Sequence, residues 1–238
     1  MASMFDSRSE KTEIMDDLNC AGEVVDQTLR ELETINRWLG GNSITIDGLR
    51  KLLPGQVKQP FEIVDLGCGG GDMLIEIARY GRKWNIPFKL IGIDANPHII
   101  EFARRNCEAY PEIEFLTLDI FSSEFKELRF DVAIATLVTH HFESASLSHL
   151  CATLQRQSKL GVVINDLHRH WLAYYSIKVL TLAFSKSSMV KYDAPLSVLR
   201  SFKKKEWLQI LHQGDISYYS ITWKWAFRWQ LVIPASLA

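Results

Sequence analysis

Val64-Asp-Leu-Gly67-Cys-Gly69-Gly-Gly71-Asp72 joins an apolar run to an amphipathic one. The run before it, Phe61 to Leu66, reads as a strand, and the stretch after it, Asp72 to Trp84, as a helix. Glycines at 67, 69 and 71 permit positive φ and let a ligand come close to the backbone. The helix that follows opens with free N–H groups. Any tight strand-to-helix turn can carry glycines, so on these nine residues alone a purely structural role stays open.

Working outward, the same alternation repeats. Lys89–Asp94 is a second strand, and Pro97–Tyr110 a second helix with proline at its opening. Ile113–Leu118 and Phe130–Thr136 are further strands. Ser146–Gln157 is a helix, and Leu160–Asn165 a fifth strand. Runs this continuously apolar are buried on both faces, as in a parallel sheet, and the alternation with helices implies right-handed crossovers. Upstream, residues 11–39 read as one or two helices, with Leu29, Leu32, Ile35 and Leu39 on one period and Gly40-Gly41 as a stop. Residues 42–60 read as a connector. Downstream, 167–200 reads as a helical insertion: Trp171–Phe184, a serine-rich loop and a second short helix. Lys203–Gln213 is a further helix, and Ile216–Ile233 a terminal hairpin. The expected fold is α/β, a Rossmann-like doubly wound sheet of seven strands. Residues 1–60 form a helical lid and connector, and residues 61–238 the main domain.

The chain has 238 residues and a formal net charge of −1, with 47% hydrophobic and 23% charged residues. That balance is ordinary for a soluble globular domain and excludes a nucleic-acid-binding polycation. No apolar run is long enough for a bilayer span, and the polar N-terminus has no signal-peptide core. Four scattered cysteines without a C-x-x-C pair speak against a zinc module or a disulfide framework; a reducing cytoplasm is expected and no metal. Charge is unevenly spread. Residues 167–238 hold ten Lys and Arg against three Asp and Glu, and 13 of the 26 aromatics.

Three carboxylates sit at strand ends. Asp65 precedes the glycine turn, Asp94 ends the second strand, and Asp119 follows the third. The carboxyl rim of parallel strands is where open α/β sheets bind ligands, and an acid at position 94 can take both hydroxyls of a ribose. A dinucleotide site would want G-x-G-x-x-G, and Gly67-x-Gly69-x-x-Asp72 lacks the third glycine.

Asp65-Leu-Gly-Cys-Gly-Gly-Gly71, Gly92-Ile-Asp-Ala-Asn-Pro97, Leu118-Asp-Ile120 and Phe130-Asp-Val-Ala-Ile134, in that order, resemble the motifs of class I S-adenosylmethionine-dependent methyltransferases. The resemblance covers about residues 60–166 and leans to the small-molecule, ubiquinone/menaquinone-biosynthesis-like branch. It implies a seven-stranded sheet with its last strand inserted antiparallel. It places Asp65, Gly67, Cys68, Gly69, Asp94, Ala95, Asp119, Ile120 and Thr136 around S-adenosyl-L-methionine. The glycines would lie along the methionine part, Asp94 at the ribose, and Asp119 with Ile120 at the adenine edge.

The resemblance also puts the segment after strand four, Thr136-Leu-Val-Thr-His140-His141-Phe142, at the methyl-donor end. His140 or His141 could serve as general base for a phenol, or could cap a helix or fill the wall. Asp166 could orient a histidine or cap the next helix. Asp193, Ser197 and Arg200 have a spacing that could close over an acceptor, and Asn36, Arg37 and Trp38 could line a lid. The expected activity is O-methylation of a phenolic, quinol or polyketide-like small molecule. N- or C-methylation and a non-catalytic binding protein are the alternatives; the amino-methylating N/D-P-P-Y signature is absent.

Overall fold

Buried on both faces, the apolar runs pair edge to edge. The computed structural model describes residues 4–54 and 59–236. Strands β1 (Phe61–Leu66), β2 (Phe88–Asp94), β3 (Ile113–Thr117), β4 (Phe130–Thr136) and β5 (Ser158–Leu167) are parallel. The hairpin of β6 (Ser220–Lys224) and β7 (Arg228–Pro234) completes a sheet of order β3-β2-β1-β4-β5-β7-β6. β7 runs antiparallel to both neighbours, as the resemblance implied.

Side-chain alternation sorts each strand onto two cores. Val64, Leu66, Ala133, Ala135, Val162 and Ile164 point to one face, against α6 (Ser144–Gln157) and α9 (Lys204–Gln213). Ile63, Leu90, Val132, Ile134 and Val163 point to the other, against α3 (Asp72–Trp84) and α4 (Pro97–Asn106). A short α5 (Ser123–Glu127) precedes β4. The insertion after β5 consists of α7 (Trp171–Phe184) and α8 (Ser188–Arg200), which contact each other. α8 is longer than the short helix expected. Conversely, α4 stops at Asn106, four residues early, where Tyr110-Pro111 turns the chain into β3.

The N-terminal region contains a three-residue 3-10 turn, Ile14–Asp16, then α1 (Glu23–Trp38). Most of the segment read as a connector is instead α2 (Gly41–Leu52); residues 55–58 of it lie outside the described residues. Its sequence, with two glycines and β-branched Ile and Thr, is a poor helix former in isolation. Packing supplies what propensity lacks. Leu49 is fully buried in the α3 core, and Gly48 lies so close to β5 that a Cβ there would overlap the Val163 Cγ1 methyl.

Gly48→Ala therefore tests which effect wins. In a free helix the change gains about 1 kcal/mol. Here overpacking against Val163 should reverse the sign and cost about 1–3 kcal/mol in urea unfolding. Adding Val163→Ala should cost less in the Gly48→Ala background than in the wild type, because the removed methyl makes room.

Candidate active site

At β1 the strand order reverses, with β2 on one side and β4 on the other, so a crevice opens outside their carboxyl ends. A cavity of about 790 Å³ occupies it. The glycine turn forms its floor. Gly67, Gly69 and Gly71 have φ of +62°, +51° and +78°. A Cβ at Gly67 would overlap Val138, and one at Gly71 would lie 2.6 Å from Cys107 Sγ, so these two glycines are required by packing. A Cβ at Gly69 would meet only Leu29 Cδ2, at 3.7 Å, and otherwise face the cavity under α1.

The nine residues expected around the cofactor, Asp65, Gly67, Cys68, Gly69, Asp94, Ala95, Asp119, Ile120 and Thr136, line this one cavity, with the two candidate bases His140 and His141. Asp65 Oδ1 is buried without a hydrogen-bond partner. Burial, then the charges of Asp72 and Asp94, push its carboxyl well above the usual range. Burial and Glu33 lift Asp72 to about 6. Burial also raises Asp94, although the backbone N–H groups of Asn96, Gly69 and Ala95 donate to it and offset part of the rise. Four acids at one end of the cavity, one with an orphaned oxygen, suit a ligand bearing an ammonium, a sulfonium and a ribose. S-adenosylmethionine carries all three. Asp119 is exposed at the rim and accepts from the Phe121 N–H at 2.9 Å. Thr136 Oγ1 lies 3.0 Å from Thr45 Oγ1 of α2.

Next to it, the histidine turn is built on Asp166, at the end of β5. Its Oδ1 lies 2.7 Å from His140 Nδ1 and accepts from the Leu167 N–H at 2.7 Å. Its Oδ2 accepts from the His140 N–H at 3.0 Å and from the Thr139 hydroxyl. Burial alone would raise this carboxyl; the His140 charge and these hydrogen bonds outweigh it and hold Asp166 at about 2. With Nδ1 donating to this carboxylate, the neutral imidazole carries its lone pair on Nε2. Both histidines fall on one 3-10 turn, Thr139–His141, with ring centroids 4.3 Å apart. His141 Nδ1 contacts Asp16 Oδ1 at 2.6 Å.

The N-terminal segment closes over this turn. Glu13 Oε1 lies 3.7 Å from His140 Nε2 and 3.5 Å from Arg200 Nη1, and Ser197 Oγ donates to Glu13 Oε2 at 2.8 Å. Arg200 also pairs with Asp16, and Asp193 accepts the Ile14 and Met15 N–H groups. Arg8 donates to the His140 carbonyl at 2.8 Å and stacks 3.9 Å from the Phe202 ring centre. Burial lifts Glu13 to about 7 despite the opposing effects of His141, Ser197 and Arg200. Glu13, His140 and His141 can each bring one donor atom within 4.8 Å of the others, but Arg200 already places a cation beside that Glu13 oxygen.

Asp193, Ser197 and Arg200 line the cavity, as does Asn36; Arg37 and the exposed Trp38 do not. His168 and His170 lie outside it too. Sequence reading missed Glu13, Asp16 and Arg8, which follow no motif. It also missed Arg228 on β7, a buried cavity-lining arginine whose Nε and Nη1 have no partner. Its only sequence signal is a charge inside an apolar strand.

Two outcomes follow from this geometry. Gly69→Val should weaken S-adenosylmethionine binding about tenfold or more in calorimetry while costing only the ~1–2 kcal/mol of left-handed backbone strain. Gly71→Val should damage stability first, because Cys107 and Phe115 block its side chain. For Glu13, the folded value of about 7 lies above the ordinary 4.5, so the fold favours the protonated form. That stability is present below the ordinary value and is lost as pH rises toward about 7. The Tm of the wild type should therefore fall relative to Glu13→Gln between about pH 5 and about pH 8.

Comparison with known proteins fits the cavity. Residues 63–161 match the family described as Methyltransferase domain. An uncharacterized methyltransferase of Synechocystis is 28% identical over 50% of this chain and 51% of its own. A carboxy-S-adenosyl-L-methionine synthase of Sulfurimonas denitrificans is 25% identical over 68% of this chain and 72% of its own. The ubiquinone biosynthesis O-methyltransferase of Bartonella quintana is 29% identical over 48% and 46%. The chain thus spans about half the length of two of these curated relatives. The plantazolicin methyltransferase BpumL, solved with S-adenosylhomocysteine, has the same fold, with a TM-score of 0.61 at 20% identity over 89% of each chain. The matched span holds the glycine turn, the β2 and β3 carboxylates and the histidine turn, so residues 63–161 are similar to a methyltransferase domain, on a chain that shares the fold of a methyltransferase solved with S-adenosylhomocysteine.

Proposed function

We propose that this protein O-methylates a small aromatic acceptor, a phenol, quinol or polyketide-like hydroxyl, with His140 as general base. The observation that carries the reading is the buried Asp166–His140 pair at 2.7 Å, which turns Nε2 away from Asp166 on a cavity-lining residue, with Glu13 Oε1 3.7 Å from it. An ordinary phenol is ionised to roughly one part in a thousand at pH 7, so a base matters for that acceptor. The name of the Bartonella relative and the aromatic C-terminal third support an aromatic hydroxyl.

Bound S-adenosylmethionine supplies a methyl group already activated on a sulfonium. Asp65, Asp72 and Glu33 balance the cationic methionine end, and Gly67, Cys68 and Gly69 let the backbone approach it. Asp94 and Ala95 hold the ribose edge; Asp119, Ile120 and Thr136 frame the rest. With the cofactor bound, His140 Nε2 would take the acceptor's proton as the O–C bond forms and the sulfonium S–C bond breaks, S-adenosylhomocysteine leaving as the neutral thioether, and Asp166 would stabilise the imidazolium. Glu13, beside Nε2 and only partly ionised near pH 7, is placed to pass that proton on. The segment over residues 8–16, together with α1, excludes water as a lid. Arg200 supplies a positive charge beside Glu13, and methyl transfer from a sulfonium requires no metal.

The test is turnover of labelled S-adenosylmethionine with a panel of phenols and quinols, the product assigned by NMR. His140→Ala should lower kcat by about 10²–10⁴ with cofactor affinity retained. Asp166→Asn should lower it by a similar factor, since an amide fixes the wrong tautomer. The rate should fall as pH drops, because the base must be neutral, and a chelator should leave it unchanged. Losses below about fivefold in both variants would reject base catalysis and leave positioning as the source of rate.

A further inference from the structure

We infer that α7 and the β6–β7 turn form a docking face for an anionic lipid surface. α7 is apolar on nearly every side. Its inner side, with Ala173, Ile177 and Leu180, walls the cavity. Its outer side is bare: Val179, Leu182 and Phe184 are 60–73% exposed, and Trp171 and Tyr175 are at least half exposed. A soluble monomer rarely leaves so many large apolar side chains together, and such a patch marks an interaction site.

The patch continues onto the hairpin. His170 stacks on Phe227 at 5.1 Å, and Phe227 contacts Trp223 and Trp225 at 5.9 and 6.0 Å. Trp225 is 69% exposed and also lines the cavity. Tryptophan and tyrosine around an aliphatic centre are the side chains that settle at a lipid–water interface.

Charge selects the occupant. Residues 167–192 contain no Asp or Glu, and of their basic side chains Lys178 and Lys186 are exposed and Lys191 half-buried, while Arg169 is buried against Glu206. Basic side chains around an apolar helix face suit an anionic bilayer. They disfavour a second copy of this chain, because a two-fold contact through α7 would set lysine against lysine, and Glu31 of α1, at the end of α7, is already used by Ser185 and the Lys186 and Ser187 N–H groups. At 14 residues α7 is about 21 Å long, too short to cross the ~30 Å hydrocarbon layer, so it lies in the surface plane. No helix among the described residues is long and apolar enough to span. An acceptor dissolved in the bilayer would reach the cavity past Trp225 without crossing water. That last consequence rests on the proposed function; the docking itself does not.

The experiment is co-sedimentation of the full chain with phosphatidylcholine vesicles, with and without about a third phosphatidylglycerol. The wild type should pellet with the mixed vesicles, about tenfold more weakly with the neutral ones, and less as salt rises. Leu182→Ser with Phe184→Ser should reduce binding about tenfold or more. Neither residue lines the cavity, so calorimetric affinity for S-adenosylmethionine should persist and report an intact fold. Should that variant fail to fold, Lys178→Glu with Lys186→Glu replaces it and should abolish the preference for anionic vesicles. Failure of the wild type to bind anionic vesicles, or undiminished binding by a folded patch variant, would overturn the proposal. So would a stable dimer in light scattering that the serine variant dissociates and that ignores vesicles; that result assigns the face to a second copy.

Discussion

Asp166 is buried, ionised and answered on every side. Four donors from two neighbouring segments converge on its two oxygens, three of them from the turn after β4. An ion removed from water is tolerated only when its lone pairs are used, and here using them fixes the turn. Because the turn is fixed, His140 has one tautomer and one orientation. Because His140 is fixed, the N-terminal segment has a surface to close on, through Arg8 at its carbonyl and Glu13 at its Nε2. The chain enters the left-handed region at Leu137, φ +56°, just ahead of that turn. Such a residue costs of order 1–3 kcal/mol, held in place by the surrounding contacts.

The cavity is polarised along its length. The end at β1 and β2 gathers carboxyl groups that burial lifts, which a cationic ligand would relieve. The end at α7 and the hairpin is aliphatic and aromatic. Between them, Glu13, Asp16 and Arg200 form a charged partition with the two histidines. A cationic methyl donor and the flat, apolar acceptor proposed above would match opposite ends, with this charged partition at their junction.

The N-terminal residues contribute to both ends. Leu29 of α1 sits over Gly69, while the segment before α1 reaches the histidines and α8. α1 packs on α4 and α8 through Val25, Leu29, Phe102 and Met189. A segment with one apolar stripe has nothing to bury itself against alone, so its position is set by the rest of the fold.

Most of the sheet was legible in the sequence. β1, α3, β4 and α7 begin and end where period and capping signals put them, because runs buried on both faces have no other stable use and glycine turns punctuate them. The motif order grouped eleven residues that line one cavity, since the crevice of an open α/β sheet lies at its strand ends. Three things needed tertiary structure. α2 is helical because β5 presses on Gly48 and the α3 core on Leu49, contacts no local propensity contains. Which carboxylate each of two adjacent histidines meets is a tertiary matter: Asp166, 26 residues away, for His140, and Asp16, 125 residues away, for His141. The burial that lifts Glu13, and the company Arg228 keeps, arise where segments distant in sequence meet. Sequence records which side chains are charged or apolar. Which of those charges lose water, and which partners then answer them, is decided by the packing of distant segments, because desolvation depends on everything within a few ångströms.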